Sequence, residues 1–220
     1  MDIQWHGLSC FTIKGKNATI VTDPYDAKEV GLKPLKLSAD IVLSNADFTL
    51  HHNVADFKGA TILDWPGEYE AKGVIIQGVA AFDRPRDKED PKKDNGERVI
   101  IYALQVDGFK LCHLSNLGHK LTNEMQEAIG DVDILFVPIG GGVGLDAKKA
   151  HEVIEQLDPR IVIPMYYNIP GIKLPLAELS AFTKEVGIQS PAAEKILKFA
   201  TTSGLPQEHT EFKILEPTLD

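Results

Sequence analysis

The chain has 220 residues, of which 43% are hydrophobic and 25% charged, and its 32 acidic and 23 basic side chains give a formal net charge of −9. This length and composition fit a single globular domain. A negatively charged surface repels phosphate backbones and anionic lipids, so we expect neither nucleic acid nor a membrane as a partner. No apolar run approaches the roughly 20 residues of a transmembrane helix.

The N-terminal segment and the cysteines indicate a reducing compartment. The start, MDIQWHGLSC, lacks the basic and apolar regions of a signal peptide. Cys10 and Cys112 each lie in an apolar, strand-like segment, which favours buried free thiols over a disulfide. We therefore expect a cytoplasmic protein.

Short β-strands are predicted throughout the first half of the chain. Asp107-Gly108 lies between the strands predicted at 99–106 and 110–113, and it favours a tight hairpin there. Residues 83–97 are charged and contain proline, and they predict a solvated loop inside the domain because strand patterns continue on both sides. Trp5 and Trp65 are expected to pack in the core. The predicted strands, rich in β-branched residues, are 3–5, 10–13, 19–21, 41–43, 60–63, 73–79, 99–106 and 110–113.

Helices alternate with strands in the second half. Thr122 is the predicted N-cap of a short helix that ends at residue 129. This order predicts an α/β protein of αββα architecture, with two sheets inside and helices outside, over residues 1–220. The further helices are predicted at 147–157 and 176–186, and the strands at 133–137, 161–164, 196–199 and 212–215.

One loop carries residue types that are typical of a metal site. Residues 43–53, LSNADFTLHHN, follow an apolar strand and contain Asp47, His51 and His52. Imidazole and carboxylate groups suit Zn²⁺ and similar ions. Two hypotheses are open: these residues bind a metal ion, or they remain where a metal site has been lost.

Five segments in the same order resemble the metallo-β-lactamase superfamily, in its branch of small metal-dependent hydrolases related to ascorbate-lactonase-like proteins. The resemblance covers residue 1 to about 168. It implies the αββα fold and a hydrolase centre in which metal ions lower the pKa of bound water to about 7. The segments are IQWHGLSCFTI with TIVTDPYD, DWPGEYEAKGVII, LCHLSNLGHKLT, VDILFVPIGGG and RIVIPMYYN.

Most positions that match the family's metal ligands carry other residues. That family holds its ions with a loop motif H-x-H-x-D-H, with a histidine and a bridging aspartate in H-L-G-D, and with a late histidine. Asparagine is a poor ligand for such ions, and leucine or protonated tyrosine is none. The substitutions imply that the usual two-metal site is lost, so no cofactor is favoured. His113, His119 and Asp23 persist, and the substituted positions are Leu8, Asn45, Asp47, Thr49, Leu50, Asn116 and Tyr166.

A single-metal site is the alternative. If the loop carries a one-residue insertion, His51 instead of Leu50 falls at the last histidine of the motif. Asp47, His51 and His113 could then hold one zinc ion.

Without an ion, these histidines have ordinary structural roles. His51 and His52 would form a polar pair that caps the following turn through Asn53. His113 would make a buried hydrogen bond to a neighbour, and His119 would shape its loop.

Two functions follow from these alternatives. The first is a metal-free, non-catalytic protein that binds an unidentified small molecule or protein; the second is a hydrolase with a residual single metal or none.

If the protein is metal-free, we expect Asn45 and Asn116 to hydrogen-bond to backbone and to each other, and Tyr166 to fill the vacated volume. For the assembly, a homodimer and a monomer are equally compatible with the sequence. The loops expected to meet at one edge of the sandwich are 44–53, 113–119 and 164–168.

Overall fold

The computed structural model describes residues 1–46, 52–84 and 96–219. In chain order the elements are β1 (Asp2–Trp5), β2 (Phe11–Lys14), β3 (Thr19–Thr22), α1 (Ala27–Val30), β4 (Ile41–Leu43), β5 (Thr61–Leu63), β6 (Gly67–Ala71), β7 (Val74–Phe82), β8 (Arg98–Val106), β9 (Phe109–His113), α2 (Asn123–Ile129), β10 (Ile134–Pro138), α3 (Ala147–Leu157), β11 (Ile161–Met165), α4 (Leu179–Glu185), β12 (Leu197–Lys198) and β13 (Glu211–Phe212). A 3-10 turn lies at Thr202–Gly204.

These strands form two sheets that face each other. One has the order β12-β1-β2-β3-β4-β5 and the other the order β13-β11-β10-β9-β8-β7-β6. Strands β3, β4 and β5 are parallel to one another, as are β9, β10, β11 and β13. The rings of Phe11 on β2 and Phe136 on β10 lie 4.7 Å apart, so the core sits between the sheets. The predicted αββα architecture is confirmed.

Burial explains why the central segments become strands. All five residues of β10 and all five of β11 are buried, as expected for parallel strands covered on both faces. β7 instead alternates between buried and more exposed positions. In α3, Ala150, Val153, Ile154 and Leu157 form one apolar face that is buried.

Several local predictions are confirmed. The side chain of Thr122 accepts a hydrogen bond from the Met125 amide and caps α2. Asp107 and Gly108 have φ of 53° and 86° and form the two-residue turn between β8 and β9. Cys10 and Cys112 are free and buried.

Other elements differ from the prediction. β6 and the single-turn helix α1 were not predicted, because neither sequence has an apolar periodicity. The C-terminal strands are only two residues long, and α4 begins at Leu179, later than predicted. Trp65 is 58% exposed, so its predicted place in the core is wrong, whereas Trp5 is fully buried. The Arg98 guanidinium lies 3.7 Å from the Trp65 ring centroid and replaces core packing by a cation–π contact.

The prediction of a charged loop falls mostly outside the described residues. Of the charged loop 83–97, the structure describes only residues 83–84 and 96–97.

In the parts of the chain that are described, no helix is long and apolar enough to span a bilayer.

Candidate functional site

The candidate site lies where parallel strands of both sheets end. Asp23 follows β3, Asn45 follows β4, His113 ends β9, and Tyr166 follows β11. Because the carboxyl ends of parallel strands lie at the same edge of a sheet, the fold brings these loops together.

A buried hydrogen-bond network joins three of these loops. The Asn45 amide nitrogen donates to Asp23 Oδ1 at 2.7 Å and to Ser115 Oγ at 2.8 Å. The Ser115 hydroxyl donates to Asp23 Oδ2 at 2.5 Å. All three side chains are 1% exposed or less. The network therefore links the loops after β3, β4 and β9 without contact with solvent.

The orientation of the Asn45 amide is fixed by a backbone donor. The Ile100 amide donates to Asn45 Oδ1 at 2.5 Å, and a peptide N–H can only donate. The NH₂ group must then face Asp23 and Ser115. The β8–β9 ladder ends at the pair Tyr102–His113, and Ile100 precedes Tyr102 by two residues on β8. β9 is therefore too short to provide an acceptor for the Ile100 amide, and the Asn45 side chain provides it instead.

His113 is neutral and its tautomer follows from its neighbours. Nε2 lies 2.8 Å from the Ser9 carbonyl oxygen, which can only accept, so Nε2 carries the proton. Nδ1 accepts from the Ser115 amide at 3.3 Å. Burial lowers the pKa of His113 to about 4, and the bond to Ser9 opposes this shift. Both ring nitrogens hydrogen-bond to backbone groups.

Asp23 is the carboxylate at the centre of the network. Burial raises the pKa of Asp23 to about 7, while hydrogen bonds from Ser115, Asn45 and Ser9 oppose the shift. Its Oδ2 lies 4.0 Å from Nδ1 of His113. A carboxyl group that titrates near neutral pH inside a closed site is typical of functional sites.

Backbone strain is concentrated at the same place. Leu8, Asp23, Ser115 and Tyr166 have φ of 49°, 39°, 50° and 56°, in the left-handed region that side chains disfavour. Each such residue costs about 1–3 kcal/mol and persists only where the surroundings hold it. All four are buried. Such clusters mark functional sites in proteins.

Asn116 lies in the site but outside the network. Its side chain is fully buried, and within the described part of the chain neither amide atom has a hydrogen-bond partner. The expected bonds from Asn116 to backbone and to Asn45 are therefore wrong. The donors of Asn45 are taken by Asp23 and Ser115, and Asn116 Oδ1 instead faces Gly144, where an added Cβ would lie 2.5 Å away.

Leu8 and Tyr166 lie in adjoining loops at the site, and their side chains are buried. The Tyr166 amide donates to the Leu8 carbonyl oxygen at 3.1 Å, which joins the loops after β1 and β11. Both side chains are 2% exposed or less. Burial, followed by the charges of Asp23 and Asp83, raises the pKa of the Tyr166 hydroxyl well above its usual range, so the group stays protonated.

His119 holds its loop against the end of β7. Its Nδ1 donates to the Lys120 carbonyl oxygen at 2.7 Å, and its Nε2 accepts from the Phe82 amide at 3.2 Å. The preceding Gly118 donates to the Phe82 carbonyl oxygen, and a Cβ at Gly118 would lie 1.6 Å from the Asp83 carbonyl oxygen. The two hydrogen bonds of His119 therefore join its loop to the backbone at the end of β7.

The loop after Asn45 is described only in part. His52 Nδ1 lies 2.9 Å from Ser44 Oγ, and the Asn53 side chain donates to the Tyr25 carbonyl oxygen at 3.2 Å. Asp47, Thr49, Leu50 and His51 lie outside the described residues.

The side chains as they lie do not fit the metal ion that the resemblance implies. A cation needs lone pairs, but Asn45 presents its NH₂ group to the site, and the Nε2 of His113 carries a proton. Both carboxylate oxygens of Asp23 accept hydrogen bonds from neighbours. Over residues 1–46, 52–84 and 96–219, no three His, Cys, Asp or Glu side chains are placed to hold an ion.

Sequence reasoning did not find three members of the network: Ser115, Ile100 and Ser9, whose side chain hydrogen-bonds to Asp23. Ser115 stands between His113 and Asn116, and the resemblance directed attention to its neighbours instead. Ile100 contributes only its amide, which no side-chain pattern can reveal. The signal that could have found Ser115 is its chemistry: a hydroxyl both donates and accepts, so it can bridge an amide and a carboxylate.

Comparisons with known proteins identify the family that shares this fold. A family model described as the beta-lactamase superfamily domain matches residues 2–166. A protein named a metal-dependent hydrolase from Carboxydothermus hydrogenoformans is 34% identical over 216 residues, which covers 86% of this chain and 94% of that protein. Another protein with that name, from Thermoplasma acidophilum, is 28% identical over 189 residues, which covers 76% of this chain and 84% of the other.

A solved structure extends the likeness to the whole fold. The crystal structure of a Thermotoga maritima protein, provisionally described as a Zn-dependent hydrolase of the metallo-beta-lactamase superfamily, matches with a TM-score of 0.76 and 30% identity. The match covers 97% of both chains. Since the family model spans most of the sequence and this structure matches nearly all of it, the chain belongs to the beta-lactamase superfamily domain family and has the metallo-β-lactamase fold.

Proposed function

We propose that this protein is a non-hydrolytic member of the family, in which a buried hydrogen-bond network around Asp23 takes the place of the metal centre, and that it acts by binding. The observation that carries the proposal is the Asn45 amide. It stands where the family motif has its first histidine, and it makes three hydrogen bonds to Asp23, Ser115 and Ile100. These bonds use both the donor and the acceptor atoms of the Asn45 amide without a cation.

The closed state of the site supports the same proposal. Leu8, Asn45, His113, Asn116 and Tyr166 are each 2% exposed or less. A hydrolase must admit its substrate and water to the reacting groups. A binding role uses the outer surface of the protein and leaves this interior closed.

Metal analysis tests the proposal directly. We expect purified protein to contain well below one zinc, iron or manganese ion per chain, and its melting temperature to be the same with and without EDTA, because no bound ion stabilises the native state. Esters, lactones and phosphodiesters should not be hydrolysed with or without added zinc. The relative from Carboxydothermus hydrogenoformans, prepared in parallel, is the positive control for metal loading.

The second candidate is a hydrolase with a single metal, which the names of the relatives favour. Asp47, His51 and His113 would then hold the ion. Under this alternative, EDTA lowers the melting temperature by several degrees, and Asp47→Ala or His51→Ala removes the EDTA effect. That result would replace the non-hydrolytic proposal.

A further inference from the structure

The edge of the seven-stranded sheet ends in a strand whose outer side is unpaired in the described structure. β6 pairs with β7 from Gly67–Gly78 to Ala71–Val74, and the turn between them is Lys72-Gly73 with φ of 53° and 75°. In a two-residue hairpin of this type, the residues that flank the turn exchange both backbone hydrogen bonds. The alternation then turns the N–H and C=O groups of Glu68 and Glu70 away from β7.

No described residue covers these outward groups. Among residues 1–46, 52–84 and 96–219, no backbone hydrogen bond outside the ladder reaches Glu68 or Glu70. Both residues are exposed. Such a row of unpaired groups is a template for another extended chain.

The charges on this edge restrict which chain can pair with it. Glu68 and Glu70 make no ion pair with any residue that the structure describes. Two copies of β6 side by side would bring four carboxylates together, and like charges on neighbouring strands are destabilising. The edge thus opposes self-association through β6. An extended segment that carries lysine or arginine would instead meet complementary charge.

Apolar contact is available beside the same edge. Ile75 is opposite Glu70 in the ladder, on the same face of the sheet, and is 53% exposed. Trp65 precedes β6 and is 58% exposed, with its ring stacked on Arg98. Ile75 lies near the turn and Trp65 near the other end of β6, so each can contact a side chain of a strand that adds to this edge.

We propose that β6 accepts an extended, lysine- or arginine-containing segment of a partner protein as an additional strand. Main-chain hydrogen bonds to Glu68 and Glu70 give the affinity, and the two carboxylates select a basic segment. This inference names the kind of partner for the binding role proposed above. It does not depend on the metal content of the interior, so either proposal can fail without the other.

Two synthetic peptides provide the test. A fluorescent peptide with threonine and lysine at alternate positions favours an extended chain and carries the required charge, and a matched peptide has glutamate in place of lysine. We expect the lysine peptide to bind the full chain at least about tenfold more tightly than the glutamate peptide in fluorescence anisotropy. Equal binding of the two peptides, or no binding of the lysine peptide, would overturn the proposal.

Two variants separate charge from backbone. Glu68→Lys with Glu70→Lys should reverse the preference between the peptides. Glu70→Pro removes an outward N–H but no bond to β7, so it should weaken lysine-peptide binding by at least about tenfold while the melting temperature stays near that of the wild type. Glu127→Lys, an exposed charge reversal on α2, is the matched control and should bind like the wild type.

Each variant can contradict the proposal on its own. If the double lysine variant keeps the wild-type preference, the carboxylates do not select the peptide. If folded Glu70→Pro binds the lysine peptide like the wild type, the peptide does not add as a strand. The charge reversal leaves the backbone unchanged, so it decides the question even if the proline variant does not fold.

Discussion

Replacing Asn45 by alanine is expected to lower the free energy of unfolding by about 3 to 5 kcal/mol, whereas the same replacement at Asn116 should change it by less than about 1 kcal/mol. Both residues are buried asparagines in one site. They differ in their bonds: Asn45 makes three, and Asn116 makes none with the described residues.

The contrast follows from what each substitution leaves behind. Without Asn45, Asp23 and Ser115 lose a donor and the Ile100 amide loses its acceptor in a closed interior, at about 1–3 kcal/mol for each unpaired group. Without Asn116, no bond to a described residue is lost, and removing two polar atoms that have no partner there offsets the small cavity that forms. Urea unfolding of both variants measures the difference. Equal destabilisation would show that the network does not stabilise the site.

The second large effect is a pH dependence of stability with opposite sign in two variants. Burial raises the pKa of Asp23 from 3.8 to about 7, so its contribution is present below pH 3.8 and is lost as the pH rises to 7. Burial lowers the pKa of His113 from 6.5 to about 4, so its contribution is present above pH 6.5 and is lost as the pH falls to 4. In the wild type the two trends oppose each other between these limits.

Removing one group should reveal the trend of the other. Asp23→Asn retains His113, so its stability should rise by about 2 to 3 kcal/mol from pH 4 to 6.5; His113→Gln retains Asp23, so its stability should fall by a similar amount. Urea unfolding at several pH values gives both profiles, and the change of each profile from that of the wild type reports the group that was removed.

A partly exposed histidine provides the control for these profiles. His151 on α3 lies 3.9 Å from Glu155 at the surface, and His151→Gln should follow the wild-type profile. If Asp23→Asn and His113→Gln also follow it, the two buried groups do not titrate as described.

The parts of the fold that could be predicted have local causes. Asp107-Gly108 supplies the two positive φ angles that its turn requires, and Thr122 supplies a side-chain acceptor for the first turn of α2. β6 was not predicted because Gly67–Ala71 has no strand propensity of its own and is ordered by its pairing with β7. Tertiary pairing of this kind leaves no local signal.

The candidate site was predictable in location but not in its bonds. The resemblance directed attention to Asn45, His113 and Asn116, which the structure places at strand ends or in the loops that follow them. It could not distinguish the two asparagines, because both are neutral amides at substituted positions. Whether a buried amide is paired depends on the direction in which its backbone points it, which the residue type does not reveal.

The bond from Ile100 to Asn45 joins a strand of one sheet to a loop of the other. A ladder amide normally exchanges its hydrogen when its own sheet opens, but the acceptor here belongs to the opposite sheet. Deuterium uptake at Ile100 therefore reports when the two sheets part at this edge, while its neighbours on β8 report the opening of one sheet. The interior of the site can then be followed at a single amide, with no substrate, ion or label added.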